Sequence, residues 1–113
     1  MKMNFEESAE FSKEFKKLLK KYKTLESDLE VFKRNIGEVD LYGNKNFAIL
    51  HQGERFLIIK ARFSCRYLKS RTLRLIYAYY QKQNLIEFIE LYFKGDKESE
   101  DKSRIKNYIK NYL

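Results

Sequence analysis

Three runs of aromatic and branched residues in the second half of the chain most constrain its fold. They are Phe56–Phe63, Leu73–Tyr80 and Leu85–Phe93, and such runs between polar segments are typical of β-strands. Only the short polar segment Gln81–Asn84 separates the last two runs. A connection this short predicts that they pair as an antiparallel hairpin.

Basic residues occur in these apolar runs at positions that would share one face of a sheet. Lys60 and Arg62 lie two residues apart, so their side chains point to the same side of a strand. Arg74 lies inside the second run, and Lys94 ends the third. Cations that project together from neighbouring strands repel each other unless an anion lies among them. The pattern therefore predicts a phosphate-binding surface, with RNA or DNA as the polymer.

The overall charge agrees with that prediction. The 24 Lys and Arg residues against 16 Asp and Glu give a net charge of +8 and a pI near 9.5, which favours nucleic acid, the ribosome or an acidic protein as partner. Abundant Lys, Asn, Ile and Tyr without Pro or Trp would also fit an ordinary surface encoded by an AT-rich genome. The length of 113 residues predicts a single domain over residues 1–113.

Several classes of site and location are disfavoured. Cys65 is the only cysteine and His51 the only histidine, so the chain lacks the residues for an internal disulfide or a zinc cluster. We expect no metal and no cofactor. The first ten residues contain no apolar run, and no segment approaches the ~20 apolar residues of a membrane span. The sequence therefore predicts a cytoplasmic protein without membrane segments.

Helical spacing of apolar residues dominates the first third of the chain. One apolar stripe runs through Phe11–Tyr22 and a second through Leu25–Ile36, and the very short connection between them predicts an antiparallel helix pair. Ser8 and Thr24 precede the stripes and are predicted to cap the two helices. Gly37 is predicted to end the second helix in a left-handed conformation.

Shorter signals complete the order of elements. Met3–Phe5 predicts a short opening strand, Phe47–Leu50 either a short strand or a tucked loop, and Ile105–Tyr112 a short C-terminal helix. Because helices and strands are segregated along the chain, the prediction is an α+β domain. Its N-terminal helical hairpin would pack on a small antiparallel sheet of three to four strands and leave the other face partly open.

Four segments, in the right order, resemble one protein family. Phe11–Leu18, followed by Lys20–Tyr22, Leu25 and Asp28–Leu29, looks like that family's first helical hairpin. Leu57–Phe63 looks like its strand with the pattern hydrophobic-Lys-x-Arg/Lys-hydrophobic. Thr72–Tyr77 looks like its strand with Arg followed by two hydrophobic residues and Tyr, and Leu91–Lys97 like its closing basic segment. The family is the RelE/ParE superfamily, the toxins of bacterial type II toxin–antitoxin systems, and the resemblance implies a RelE-like fold.

The resemblance also implies an activity. Ribonucleases of this superfamily enter the ribosomal A site and cut mRNA without a metal, as the ribose 2′-hydroxyl attacks the adjacent phosphate and leaves a cyclic phosphate. This chemistry needs cations aimed at the phosphate and groups that transfer protons. The residue-level match implies that Arg74 binds the phosphate in the transition state. It also implies that Lys60 and Arg62 hold the RNA backbone and that Lys94 fills the basic position at the end of the last strand.

Further residues are predicted around this site. Arg66, Lys69 and Arg71 make the connection between the first two long strands basic, so we expect them to bind RNA. Glu90 and Tyr92 are candidates for proton transfer. The resemblance further implies a cognate small antitoxin, which would cover the exposed face or a sheet edge as a helix or an added strand, and mRNA on the ribosome as the substrate.

The residues themselves leave alternatives open. Lys60 and Arg62 could simply line the solvent face of a half-exposed strand. Arg74 could form a structural ion pair with Glu87 or Glu90 across the hairpin. The alternative function is that of a non-catalytic superfamily member, either a gyrase inhibitor or an inactive RNA- or ribosome-binding protein.

Overall fold

A five-stranded mixed sheet runs through the molecule, which the computed structural model describes for residues 2–69 and 71–112. The strands, which lie in the spatial order β1-β5-β4-β3-β2, are β1 (Asn4–Glu7), β2 (Phe47–Gln52), β3 (Leu57–Ser64), β4 (Thr72–Tyr80) and β5 (Leu85–Phe93). The α-helices are α1 (Ala9–Lys21), α2 (Leu25–Asn35) and α3 (Lys102–Tyr112). Short 3-10 helices occupy Ile36–Glu38, Arg66–Leu68 and Gln81–Gln83.

The α+β class is confirmed, but the prediction of a purely antiparallel sheet with three to four strands is wrong. The fifth strand arises because β1 pairs with β5 in parallel, with Asn4 opposite Leu85. The opening strand predicted at Met3–Phe5 is confirmed as β1 at Asn4–Glu7, but Phe5 is the only apolar residue of β1 and does not indicate which strand pairs with it. The order of helical elements also differs from the prediction, which lacked the 3-10 helices.

The α1–α2 pair buries one face of the sheet. Phe11 of α1 is fully buried and stacks on Phe88 of β5, with ring centroids 5.2 Å apart. Phe32 of α2 packs edge-to-face on Phe63 of β3 at 5.8 Å and on Tyr77 of β4 at 6.0 Å. Such aromatic contacts combine a large buried area with a preferred ring geometry, and they fix both helices against the three long strands.

The Ser8 side chain caps the start of α1. The Ser8 hydroxyl accepts the Phe11 N–H at 3.1 Å and donates to the Ile89 carbonyl at 3.3 Å, so the predicted cap is confirmed and also ties the helix to β5. Thr24 precedes α2, but its side chain makes no capping bond to a backbone N–H of that helix.

The predicted left-handed end of α2 is wrong. Among the described glycines, Gly43 has a positive φ of 73° and Gly37 does not. The chain instead tightens after Asn35 into the 3-10 helix Ile36–Glu38, which Val39 closes by donating its N–H to the Ile36 carbonyl at 3.3 Å. A tightened last turn satisfies carbonyls that would otherwise need a left-handed residue.

On the opposite face of the sheet, α3 covers one end and leaves the other open. Ile105 and Tyr108 of α3 are buried against an apolar cluster that includes Ile58 of β3 and Tyr80 of β4. The Tyr80 and Tyr108 hydroxyls lie 2.6 Å apart, and Tyr108 donates to Glu87 at 2.6 Å. No helix among the described residues has the length and apolar character to cross a membrane.

A buried carboxylate attaches α2 to the connection between β3 and β4. Asp28 is 6% exposed and accepts hydrogen bonds from the Thr24 hydroxyl at 2.7 Å and from the Arg66 N–H and Nε at 3.1 and 2.9 Å. Burial by itself raises the pKa of Asp28, but the hydrogen bonds from Thr24 and Arg66 outweigh it, so the pKa is lowered. Asp28 therefore stabilises the fold as a carboxylate.

We predict that Asp28→Ala lowers the free energy of unfolding by about 2–3 kcal/mol at pH 7, because the Arg66 N–H and Thr24 hydroxyl lose their acceptor. Because the pKa of Asp28 is lowered in the folded protein, its contribution to stability is present above the unfolded pKa of about 3.9 and is lost as the pH falls through the folded pKa. Urea unfolding of wild type and variant at pH 7 and below pH 4 measures the difference in free energy of unfolding. Glu30→Ala, on an exposed ion pair of the same helix, is the control. Equal stability losses for the two variants would contradict the prediction.

Candidate functional site

The strand register places the predicted site residues in two rows on the open face. Arg62 of β3 lies directly opposite Arg74 of β4, which in turn lies opposite Tyr92 of β5. In the neighbouring row, Lys60 lies opposite Ile76, which lies opposite Glu90. The period-2 alternation of strands therefore brings these cations to one face.

Four of the predicted residues line one cavity of about 220 Å³, which we call the basic cleft. Its lining contains Lys45, Asn46, Phe47, Ala48, Lys60, Arg62, Arg74 and Lys94. Lys60, Arg62, Arg74 and Lys94, predicted as catalytic, thus lie together. Lys45 joins them from the loop before β2 and was missed, because a lysine in a polar loop has no strand periodicity to assign it to a face.

Arg74 is held in place by its own strand. Its Nη1 donates to the Thr72 side chain at 2.6 Å and approaches the Thr72 and Leu73 carbonyls at 3.4 Å. The alternative of an ion pair with Glu87 or Glu90 is wrong, since Glu87 accepts from Tyr108 and Glu90 from Lys97. Arg74 is half-buried, and its remaining donors are free to bind an anion in the cleft.

The loop between β5 and α3 brings a carboxylate to the cluster. The Lys60 ammonium lies 3.0 Å from Glu100, whose side chain is 11% exposed. Burial raises the pKa of Glu100, but hydrogen bonds from its own backbone N–H and from Lys60 outweigh it, and the pKa is lowered. Glu100 is therefore a carboxylate at neutral pH. In the described parts of the chain, Arg62, Arg74 and Lys94 form no ion pair.

The two candidates for proton transfer lie beneath this loop. Glu90 is fully buried, accepts the Asp101 N–H at 2.9 Å and pairs with the Lys97 ammonium. Tyr92 is 6% exposed. Burial is the largest cause that raises the pKa of Tyr92, and the Glu100 and Glu90 carboxylates raise it further. Arg74 lowers it, and the resulting pKa of Tyr92 is about 12. Tyr92 is thus a neutral phenol at pH 7, a proton donor and not a base.

The three basic residues predicted to bind RNA are placed differently from one another. Arg66 is engaged with Asp28 at 2.9 Å, so its guanidinium anchors the chain. Lys69 is exposed and has a positive φ of 58°. The Arg71 guanidinium lies over the Phe93 ring at 5.9 Å. Arg71 and Phe93 line a second cavity of about 440 Å³, the outer cavity, which shares residues with the basic cleft, namely Arg74 and Lys94.

Other polar groups lie apart from this site. The His51 Nε2 is buried near the turn at Gly53, on β2, and has no hydrogen-bond partner among the residues that the structure describes. His51 does not line the basic cleft. Within residues 2–69 and 71–112, no three His, Cys, Asp or Glu side chains are grouped so as to hold a metal ion. The basic cleft itself presents a cluster of cations on this face.

Comparison with solved structures identifies the type of fold. No protein-family model matches the chain, and no curated protein matches it. A chain in the crystal structure of the archaeal RelE-RelB complex from Pyrococcus horikoshii OT3 matches with a TM-score of 0.57 and 20% sequence identity, over 84% of this chain and 98% of that chain. The fold is RelE-like. The basic cleft is thus a feature of a RelE-like sheet, on the face opposite α1 and α2.

We predict that Glu100→Gln strengthens binding of a single-stranded oligonucleotide, because Lys60 loses its carboxylate partner and can meet a phosphate. The dependence of log K on log salt concentration should steepen by about 0.7, as one further cation becomes available. Fluorescence anisotropy across several salt concentrations measures this. Glu98→Gln, an exposed residue of the same loop, makes the same change in net charge. Equal effects of the two variants would contradict a local role for Glu100.

Proposed function

We propose that this protein is the toxin of a type II toxin–antitoxin pair and cleaves mRNA on the ribosome without a metal. The observation that carries the proposal is the basic cleft, where Lys60, Arg62, Arg74 and Lys94 converge on an open sheet face. The RelE-like fold supports the same function. The proposal places the protein in the cytoplasm, where translating ribosomes are found.

The cleft fits the electrostatic demand of RNA cleavage. The ribose 2′-hydroxyl gives its proton to solvent water as its oxygen attacks the adjacent phosphate, and the bond from phosphorus to the 5′ oxygen breaks to leave a cyclic phosphate. Negative charge builds on the phosphoryl oxygens in the transition state, and fixed cations nearby lower the barrier. Arg74 is pre-positioned by Thr72 at 2.6 Å, which reduces the reorganisation needed when the phosphate arrives. In this proposal Arg74 stabilises the transition-state charge, and Arg62 and Lys94 hold the flanking RNA backbone. Lys60 joins them when the phosphate displaces its Glu100 partner.

Tyr92 and Glu90 take different parts in this proposal from those suggested by their sequence positions. A phenol with a pKa near 12 stays protonated at neutral pH, so Tyr92 would support the departing oxygen as a hydrogen-bond donor. Glu90 is fully buried and bonded to Lys97 and the Asp101 N–H. Its role would be to hold the loop that carries Glu100.

We place the antitoxin along the edge of the sheet formed by β2. A groove of about 230 Å³ lies between α2 and β2–β3, with Val31, Phe32 and Phe47 among its lining residues. This groove shares Phe47 and Arg62 with the basic cleft. An added strand or helix that fills the groove would therefore contact the cleft as well, which is how a bound partner would block it.

A non-catalytic RNA- or ribosome-binding protein is the second candidate. The observation that favours it is that neither candidate for proton transfer, Glu90 or Tyr92, is available as a base. The same cations would then bind phosphate without cleavage. Mapping of RNA ends separates the two functions, because only cleavage creates new ends.

We predict that Arg74→Ala lowers the rate of mRNA cleavage in a translating extract by about 10²–10³-fold, which abolishes detectable cleavage. A loss of this size is expected when one transition-state cation is removed. Mapping of 5′ ends should reveal new ends at A-site codons with the wild-type protein and none with the variant. Lys13→Ala, an exposed lysine of α1 outside the named cavities, should cleave like wild type. Full cleavage by folded Arg74→Ala would remove the proposed site, and no cleavage by wild type would favour the non-catalytic candidate.

We predict that Val31→Asp keeps toxicity but escapes neutralisation by the product of an adjacent small acidic gene. Val31 is 43% exposed in the groove beside β2, and a carboxylate there would both remove apolar contact and repel an acidic partner. Growth on co-expression of the two genes measures the effect, with Val31→Ile as the apolar control. Neutralisation of Val31→Asp as complete as that of Val31→Ile would place the antitoxin elsewhere.

A further inference from the structure

We propose that Tyr67 stacks on a base of the single-stranded RNA bound in the basic cleft, as the outermost residue of an aromatic and basic surface that extends from it. The proposal rests on the proposed function, because it names a surface that the RNA substrate contacts beyond the basic cleft. The ligand it assigns is a nucleobase of single-stranded RNA, next to but outside the reacting nucleotide. Tyr67 would act as a substrate-positioning residue.

Ring contacts connect Tyr67 to the cleft without a break. The Tyr67 and Tyr22 ring centroids are 6.3 Å apart, and those of Tyr22 and Phe93 are 6.2 Å apart. The Arg71 guanidinium lies over the Phe93 ring at 5.9 Å. Phe93 and Arg71 line the outer cavity, which includes Arg74 of the basic cleft. In this proposal an RNA strand that leaves the cleft passes over the outer cavity and continues past exposed Arg71 to the Tyr67 ring, which Tyr22 joins to Phe93 from beneath the surface.

The rings differ in exposure in the way a stacking site requires. Tyr67 is 52% exposed, whereas Tyr22 behind it is 3% exposed. Tyr22 thus supports Tyr67 from the core side, and the free part of the Tyr67 ring faces solvent. An aromatic side chain displayed in this way contacts the face of any base, because every base has a π-face.

The backbone that carries Tyr67 is held in place before any ligand arrives. The Tyr67 N–H donates to the Thr24 side-chain oxygen at 3.1 Å, and the neighbouring Arg66 N–H donates to Asp28 at 3.1 Å. Because Asp28 is buried and bonded on both sides, the 3-10 helix Arg66–Leu68 is fixed relative to α2. A pre-ordered ring loses little conformational entropy on binding.

The charges around these rings favour a nucleic acid. Lys21 lies 5.5 Å from the Tyr22 ring centroid, and Lys69 and Arg71 are exposed on the same connection as Tyr67. In the part of the chain that the structure describes, these cations form no ion pair with a carboxylate. Alternating cations and aromatic rings are the features that bind the backbone and the bases of single strands.

The test measures affinity for a fluorescein-labelled single-stranded RNA of about ten nucleotides, within the usual site size of such surfaces. Tyr67→Ala should weaken binding about 5- to 100-fold, the range that one stacked base contributes. Tyr67→Phe should bind like wild type, because it keeps the ring. Tyr42→Ala is the matched control, since Tyr42 is 58% exposed and lines none of the cavities described. Thermal unfolding should be alike in all three variants.

Two further readouts distinguish stacking from charge. Tyr67→Ala should leave the salt dependence of binding unchanged, whereas Arg71→Gln should lower the slope of log K against log salt concentration by about 0.7. A series of RNAs with one abasic nucleotide each should contain one position at which the wild type loses affinity. At that position Tyr67→Ala should lose nothing more, because the two changes remove the same contact.

The outcomes separate this inference from the proposed function. If Arg74→Ala weakens RNA binding and Tyr67→Ala does not, stacking at Tyr67 is overturned and the cleft stands. If Tyr67→Ala weakens binding and Arg74→Ala does not, the stacking surface stands and the cleft loses its support. If wild type binds no free RNA, stacking at Tyr67 is overturned, and mapping of RNA ends in the translating extract decides the proposed function separately. If Tyr67→Ala affects only binding of an acidic partner protein, the surface belongs to that partner and the inference is overturned.

Discussion

The basic cleft depends on the direct opposition of Arg62 and Arg74 across β3 and β4. Like charges in this position are unfavourable, and a shift in strand register would relieve them. The buried face prevents that shift, because Ala61, Leu73 and Leu75 are fully buried beneath the helix pair. A slip by one residue would turn these side chains to solvent and the arginines into the core. The hydrophobic core therefore holds the two cations together.

Carboxylates are distributed unevenly around this cluster. Glu100 pairs with Lys60 at 3.0 Å, and the fully buried Glu90 pairs with Lys97 and the Asp101 N–H. Both pairs involve the loop between β5 and α3, so one side of the basic face is neutralised by the chain itself. The other side, with Arg62 and Arg74, keeps its charge for a ligand. The loop between β5 and α3 thus determines which cations of this face remain available to a ligand.

Much of this arrangement could be predicted from sequence, and the failures have physical reasons. The runs that became β3, β4 and β5 are rich in aromatic and branched residues, and this composition identified the strands. The two-residue spacing of Lys60 and Arg62 predicted that they share a face. The parallel pairing of β1 with β5 joins residues at opposite ends of the chain, with Asn4 opposite Leu85, and no local pattern encodes it. Lys45 and Tyr67 lie in segments without a regular period, so only the folded chain places them.

The acid–base chemistry was less accessible to sequence reasoning than the charges, because it depends on burial. Tyr92 and Glu90 share strand parity with Lys94, which suggested that they act on a substrate. Burial instead raises the pKa of Tyr92 to about 12 and removes Glu90 from solvent. The proposed cleavage then draws on fixed cations, a contribution that is commonly the largest in enzymes that stabilise developing charge. A cleft of this kind needs its substrate held in an aligned geometry, and the ribosome in the proposed function would supply that alignment.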